Sequence, residues 1–304
     1  FAGSLNGAGH TVSGLYINKT GSGYWSAAGL FPRIESGAHI SSLGIVNSSV
    51  TLESNGFAGA FFGIMMGGKT YSEANAAERP SIEGCFADDT VSVKGKNAGG
   101  IAGCFMGELS VTNCYFTGAL SAEGDGGAFA ANHWTGLFVV TNSFATSKAF
   151  GSDNNAKSQV KFDGVYTTAP EQSALYGKSV SVTAAQITGS AAPAALIGFD
   201  FTAVWKICEG AFPQLRVFSG GGSEEGNWDG SIASDFSAGN GTEAEPYLIS
   251  TPAELALTAT LTGDQSVGKY FKLNNNIVIN ASLNSNAQGW FSVENESVDK
   301  CLFR

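Results

Sequence analysis

The side chains best suited to chemistry are a few acids, three histidines and five cysteines, and their spacing decides what they can do. Glycosidic cleavage takes two carboxylates facing each other across about 5 to 9.5 Å, and lyase chemistry takes a base or cation beside an acidic cluster. At the outward position of a recurring segment the chain carries Ser13, Ser41, Glu83, Thr112 and Thr141, one acid among hydroxyls. Asp88 and Asp89 are adjacent, so on a strand their carboxylates would point to opposite faces. Asp125 stands apart from both. His10, His39 and His133 have no Cys or carboxylate at nucleophile or metal-triad spacing, and His133 beside Trp134 reads as an edge loop. No GxSxG elbow occurs, and the Gly-rich Asn97 to Gly100 lacks the Lys and helix of a phosphate cradle. The expectation is no catalytic, cofactor-binding or metal site.

Cys85, Cys104, Cys114, Cys208 and Cys301 are an odd number without a CxxC pair, which argues against zinc and iron-sulfur centres. Aligned repeats put Cys85 beneath Cys114, and stacked strands about 4.8 Å apart are within reach of a disulfide. Two readings stay open, a Cys85–Cys114 bridge and two small buried hydrophobes. For ligand contacts the candidates are aromatics near turns, above all Trp25 and Trp134, with Tyr24, Phe61 and Phe62 balanced against core packing. The polar stretch Thr70 to Pro80 reads as a loop bulging from the scaffold. Asn-x-Ser/Thr sequons make Asn18, Asn47, Asn240, Asn280 and Asn295 candidate glycosylation sites, with Asn18 best placed in a turn after a strand.

The elements that must hold these residues announce themselves by repetition. An apolar-x-x-apolar beat recurs at Val12–Leu15, Ile40–Leu43, Ile82–Cys85 and Val111–Cys114, with a degenerate copy at Val140–Ser143, at spacings of 28, 42, 29 and 29 residues. The long interval contains the Thr70 to Pro80 stretch. Each beat is followed by a Gly- and Phe-rich element such as Ala58 to Phe62 or Gly126 to Phe129, and by an alternating stretch such as Thr90 to Val93. Three short strands per repeat, with 41 Gly in 304 residues, predict an all-β chain: a right-handed parallel β-helix, or solenoid, rather than a sandwich. A net charge of −10 opposes nucleic acid and anionic membranes, and no apolar run is long enough to span a bilayer.

The stretch Leu5 to Ile17, the recurring Gly-rich elements, Ile82 to Phe86 with Val111 to Tyr115, and the closing Phe199 to Leu215 resemble GLUG-type repeats of large secreted bacterial surface proteins. The resemblance spans residues 1–218. It implies an adhesin-like cell-surface location; such repeats also lie beside secreted peptidase domains, whose motifs are missing from this sequence. Residues 219–226 read as a Gly/Ser-rich linker, and 227–304 as the start of a second module of the same type, with a capped helix at about 252–261. Both chain ends read as cuts in a tandem array. The sequence therefore predicts an extracellular, non-catalytic structural or adhesive segment of a larger surface or filament protein. Its expected partners are further copies or neighbouring modules end to end, and a glycan or host or cell-surface protein. A β-helical polysaccharide lyase or glycosidase, and a passive spacer of a secreted peptidase, are the alternatives.

Overall fold

The computed structural model describes residues 1–20, 25–67, 78–153, 158–218, 228–280, 289–290 and 292–293. Tyr24, most of the Thr70–Pro80 stretch, the 219–226 linker, Asn295 and Cys301 lie outside them.

The repeats form three sheets whose strands pair in parallel. In the main sheet Ser4–Ser13, His39–Val46, Ser81–Glu83, Leu109–Thr112, Gly136–Ala145 and Ser158–Thr167 lie side by side. The second sheet is built on Ser48–Gly59, Val91–Gly99 and Ala119–Ala122, and the third on Phe31–Glu35, Phe62–Met66, Ala102–Phe105, Ala130–His133 and Phe150–Asp153. Between them runs one core, in which Phe271, Leu5, Ile40, Ile82, Val111, Val140 and Phe162 follow one another across the main sheet. Each such side chain taken from water contributes roughly 1.5–3 kcal/mol.

The beat has a backbone cause. Its third residue turns the corner between two strand segments with positive φ: Ser42 at 50°, Gly84 at 59°, Asn113 at 51°, Asn142 at 46° and Gly164 at 65°. That conformation is open to Gly and tolerated by Asn, which explains why these residues recur there. It also reveals a copy that the spacing hid, Phe162-Asp-Gly-Val165. The first copy is shifted: Val12 pairs with Ile45, and Leu5 is the residue in line with Ile40. At the corner between second and third sheets, chains run so close that a Cβ on Gly99 would sit 1.7 Å from the Ala102 carbonyl oxygen.

This overturns the expectation of a single right-handed β-helix. Strands make up about 47% and helices 11% of the described residues, spread over several sheets. Strand order departs from chain order, because Tyr270–Leu273 pairs with Ser4–Ser13 and Tyr247–Ile249 lies beyond it. Trp205–Lys206 with Gln214–Leu215, and Ser292–Val293 with Ala27–Ala28, are antiparallel. The fold is β-rich, with several parallel sheets dressed by non-repeating segments. Periodicity reports which residues face a core and is blind to where irregular segments dock.

Both ends of the main sheet are covered by the chain itself. At one, the residues from 228 onward, expected to open a second module, extend the main sheet, and Phe1 stacks on Phe31 at 4.7 Å and meets Phe271 at 5.6 Å. Helix Pro252–Thr260 is fixed there by a capping box between Thr251 and Glu254. At the other, Val180–Ser181 pairs with Ser158–Thr167, and on the third sheet Gln172 mimics a strand beside Phe150: its amide oxygen accepts from Phe150 N at 3.1 Å and its Nε2 donates to Phe150 O at 2.8 Å.

Two outcomes follow. Asn113→Gly should leave urea stability within about 0.5 kcal/mol of the parent, whereas Asn113→Val should cost about 1–2 kcal/mol, because a β-branched residue resists the left-handed corner. The Glu254 carboxylate accepts from Ser237 N, Ser250 N and Thr251 N at 2.9, 2.8 and 3.1 Å. Burial opposes its charge, but these bonds outweigh it and hold its pKa below the ordinary 4.5. Its stabilisation is therefore complete above that value and is lost as pH falls through the lower folded pKa. Glu254→Gln should lower stability by about 1 kcal/mol at neutral pH and flatten the acid limb of the melting-temperature profile.

Candidate functional site

Strand alternation in the third sheet decides which side chains leave the core. Met65 and Phe105 face inward, whereas Ile64, Met66 and Cys104 face the opposite side. His133 and Trp134 split in the same way. His133, expected in an edge loop, is fully buried, stacks on Phe105 at 4.4 Å, and has Nε2 2.6 Å from the Thr135 carbonyl. Trp134 emerges outside.

There it meets Trp25. The two ring centroids lie 5.8 Å apart at 51°, and Trp25 lies 6.2 Å from Phe57. Far apart in sequence, the two sequence-predicted contact residues thus share one patch, half-buried and flanked by Met66 and Met106. The Trp134 indole N–H has no acceptor among the described residues. Beneath lies a polar layer: the Asp125 carboxylate accepts Asn132 Nδ2 at 2.7 Å. Burial, reinforced by the Asp125 charge, pushes the Cys104 thiol well above its usual range, so it stays protonated and unreactive.

The acids do not gather. Glu83 is exposed on the main sheet in register with Ser41 and Thr112, while Asp125 precedes a second-sheet strand. Asp88 and Asp89, expected on opposite faces, occupy a turn after Phe86–Ala87 instead of a strand, and both line a cleft beside Tyr115. Among the described residues no group of three or more His, Cys, Asp or Glu is placed to hold a metal ion, and no helix is long and apolar enough to cross a membrane. His39 Nδ1 lies 2.9 Å from Ser81 Oγ, and burial lowers its pKa.

The Cys85–Cys114 bridge is not formed. Both are buried free thiols, and each has its own work at the corner. Cys114 N donates to Ser143 Oγ at 3.0 Å, and Cys85 N to Cys114 Sγ at 3.5 Å, so each small polar side chain satisfies the backbone N–H of the preceding repeat. Cys114 Sγ in turn points at the Thr112 carbonyl, 3.2 Å away. Burial and the neighbouring Cys114 push the Cys85 thiol far up.

Of the sequons, Asn18, Asn47 and Asn240 are exposed, although Asn18 lies within strand Tyr16–Lys19 rather than after it. Asn280, expected from its sequon to be a glycan site, is instead buried, and its Nδ2 donates to the Gly14 carbonyl at 2.9 Å, leaving no room for a glycan.

Sequence reasoning missed a second aromatic feature. On the outer face of the main sheet Phe86, Tyr115 and Phe144 stack at 4.9 and 5.1 Å, nearly parallel, beneath Trp205 and Phe212 of the closing segment. The signal was present, an aromatic immediately after Cys85, Cys114 and Ser143.

No protein-family model matches the chain, and no curated protein matches it. Among solved structures, one described as a "putative immunoglobulin A1 protease" from Bacteroides ovatus aligns over 70% of this chain and 76% of its own, at 17% identity and a TM-score of 0.45. A likeness of that size transfers neither fold nor function.

The corner chemistry is testable. Cys114→Ser should fold with stability within about 1 kcal/mol of the parent, whereas Cys114→Val should lose about 1–3 kcal/mol by orphaning the Cys85 N–H. Maleimide should label Cys85 and Cys114 only after denaturation, and peptide mapping without reductant should yield no linked pair.

Proposed function

We propose that this chain is a non-catalytic, extracellular structural and adhesive segment of a larger surface protein, binding a protein partner through Trp25 and Trp134. The observation that carries the reading is their meeting on the outside of a framework whose strands are locked in register. Trp and Met are anchors of protein interfaces, large in contact area and adaptable in shape. Rings tilted at 51° and half sunk in the surface suit a shaped protein contact better than the flat platform a sugar ring stacks on. The resemblance to GLUG-type repeats, the −10 charge and the exposed sequons at Asn18, Asn47 and Asn240 are consistent with a secreted or cell-surface location. The proposal does not lean on end-to-end assembly. The lyase or glycosidase alternative gains little from Glu83, Asp125 and the Asp88–Asp89 pair: the pair shares one turn, and Glu83 and Asp125 stand on other elements.

The test is binding of the purified chain to an array of cell-surface and matrix proteins. The Trp25→Ala/Trp134→Ala double variant should lose at least about tenfold in affinity for any partner found while keeping its circular dichroism spectrum. A blank array for the parent chain, or binding indifferent to both substitutions, overturns the reading.

A further inference from the structure

The closing segment lies across the outer aromatic stack without sealing it, and leaves a cleft of about 360 Å³. Asp88, Asp89 and Thr117 stand on the main-sheet side, and Phe212, Pro213 and Gln214 on the other. At its floor is Tyr115. Both faces of this ring are covered by Phe86 and Phe144, so only its edge and hydroxyl reach the cleft.

That hydroxyl is the telling group. Tyr115 is 7% exposed, and its oxygen has no hydrogen-bond partner among the described residues. Tyr166, next but one in the same stack, shows the usual solution: its hydroxyl donates to the Ile197 carbonyl at 2.9 Å. The Tyr115 hydroxyl has no such protein partner among the described residues and opens onto the cleft, where a ligand can take it. Burial, with Asp88, Cys208 and Asp89 nearby, drives the Tyr115 pKa up, so the phenol keeps its proton and remains a donor. Around it, more open to solvent, stand further polar groups. Asp88 uses Oδ1 for Thr90 N and Thr90 Oγ1, and its Oδ2, the Asp89 carboxylate, Thr117 Oγ1 and the Gln214 amide have no partner among the described residues. Open space surrounds Gly210 at the rim, where a Cβ would meet nothing within 4 Å.

The mixture selects a ligand class. Two carboxylates repel phosphate and other anions. A phenol, a hydroxyl and an amide offer hydrogen-bond donors, for which a bare cation has no acceptor. A sugar hydroxyl donates and accepts through one oxygen, and the apolar edge formed by Phe212 and Pro213 suits the C–H face of a pyranose. The volume falls at the small end of ligand sites. From these groups we infer that the cleft is a binding site for one neutral saccharide unit, with Tyr115 and Asp88 as its central hydrogen-bonding pair. This deepens the adhesive reading by adding a ligand class at a second place, away from Trp25 and Trp134.

The experiment titrates the full chain with the methyl glycosides of glucose, galactose, mannose and N-acetylglucosamine, read by saturation-transfer NMR and calorimetry, with methylammonium and inorganic phosphate as the charged arms. At least one glycoside should bind saturably at one site, phosphate should not bind, and methylammonium should not compete. Tyr115→Phe should weaken the glycoside about tenfold, the loss of one buried hydrogen bond, and Asp88→Asn by a similar factor. The melting temperature of Tyr115→Phe should not fall, since Phe already fills this place at 86 and 144. No saturable glycoside binding, affinity unchanged in both variants, or displacement by methylammonium overturns the inference. The two proposals fail separately: a Trp25→Ala/Trp134→Ala chain should keep its sugar, and a Tyr115→Phe chain should keep its protein partner.

Discussion

Everything in this molecule depends on backbone groups being satisfied at a repeated corner. A strand that bends out of one segment and into the next leaves an N–H facing a neighbouring repeat, and a buried unpaired N–H is expensive. Here the left-handed residue makes the bend and the following Cys or Ser supplies the acceptor: Ser143 for Cys114 N, Cys114 for Cys85 N. Once that link is set, the strands on either side must stay in register, and the inward ladder from Leu5 to Phe162 closes without a gap. Repeat length, the placement of Gly and Asn, and the burial of two thiols are all consequences of the one constraint.

This explains which parts of the sequence could be read. Ile82, Val111 and Val140 were legible as a ladder because corner and core act on neighbouring positions, so pattern and structure coincide. Val12 was misaligned because the first strand bulges between Asn6 and His10, adding residues that no periodicity records. Phe162 was missed because Gly164 and Val165 keep the corner conformation but lose the Asn and Cys that marked it. The thiols invited a disulfide by their stacking, yet proximity also serves a hydrogen bond, and sequence cannot tell the two apart. Asn280 carries a perfect sequon and is buried, because its amide caps Gly14 from a segment that sequence placed in another module.

The candidate site was half legible for the same reason. Trp25 and Trp134 could be picked as aromatics near turns, but their meeting depends on strand alternation that sends His133 inward and Trp134 outward. The acids were legible as unconverged. What was illegible was the docking of 199–218 over the main sheet, since its contacts with Phe86, Tyr115 and Phe144 follow no repeat. Irregular segments therefore carry the specific features of this molecule, while repeats carry its rigidity. Trp25 with Trp134, and the stack of Phe86, Tyr115 and Phe144, lie on the outer sides of the sheets.

Packing accounts for almost every ring on those sides, and the exception is instructive. Phe86 and Phe144 fill their places in the stack without a polar atom, and a phenylalanine between them would stack equally well. The hydroxyl of Tyr115 adds nothing to that contact and opens onto a cleft where the described protein residues supply no partner. Two acids a few residues after Phe86 make the surroundings worse for an ionised phenol and better for a neutral one. A neutral donor, held at the floor of a cleft and flanked by acceptors, is a group whose partner comes from outside the chain. The framework that forces repeats into register thereby fixes that donor on a rigid strand, where the ordering cost of recognition has been met in folding.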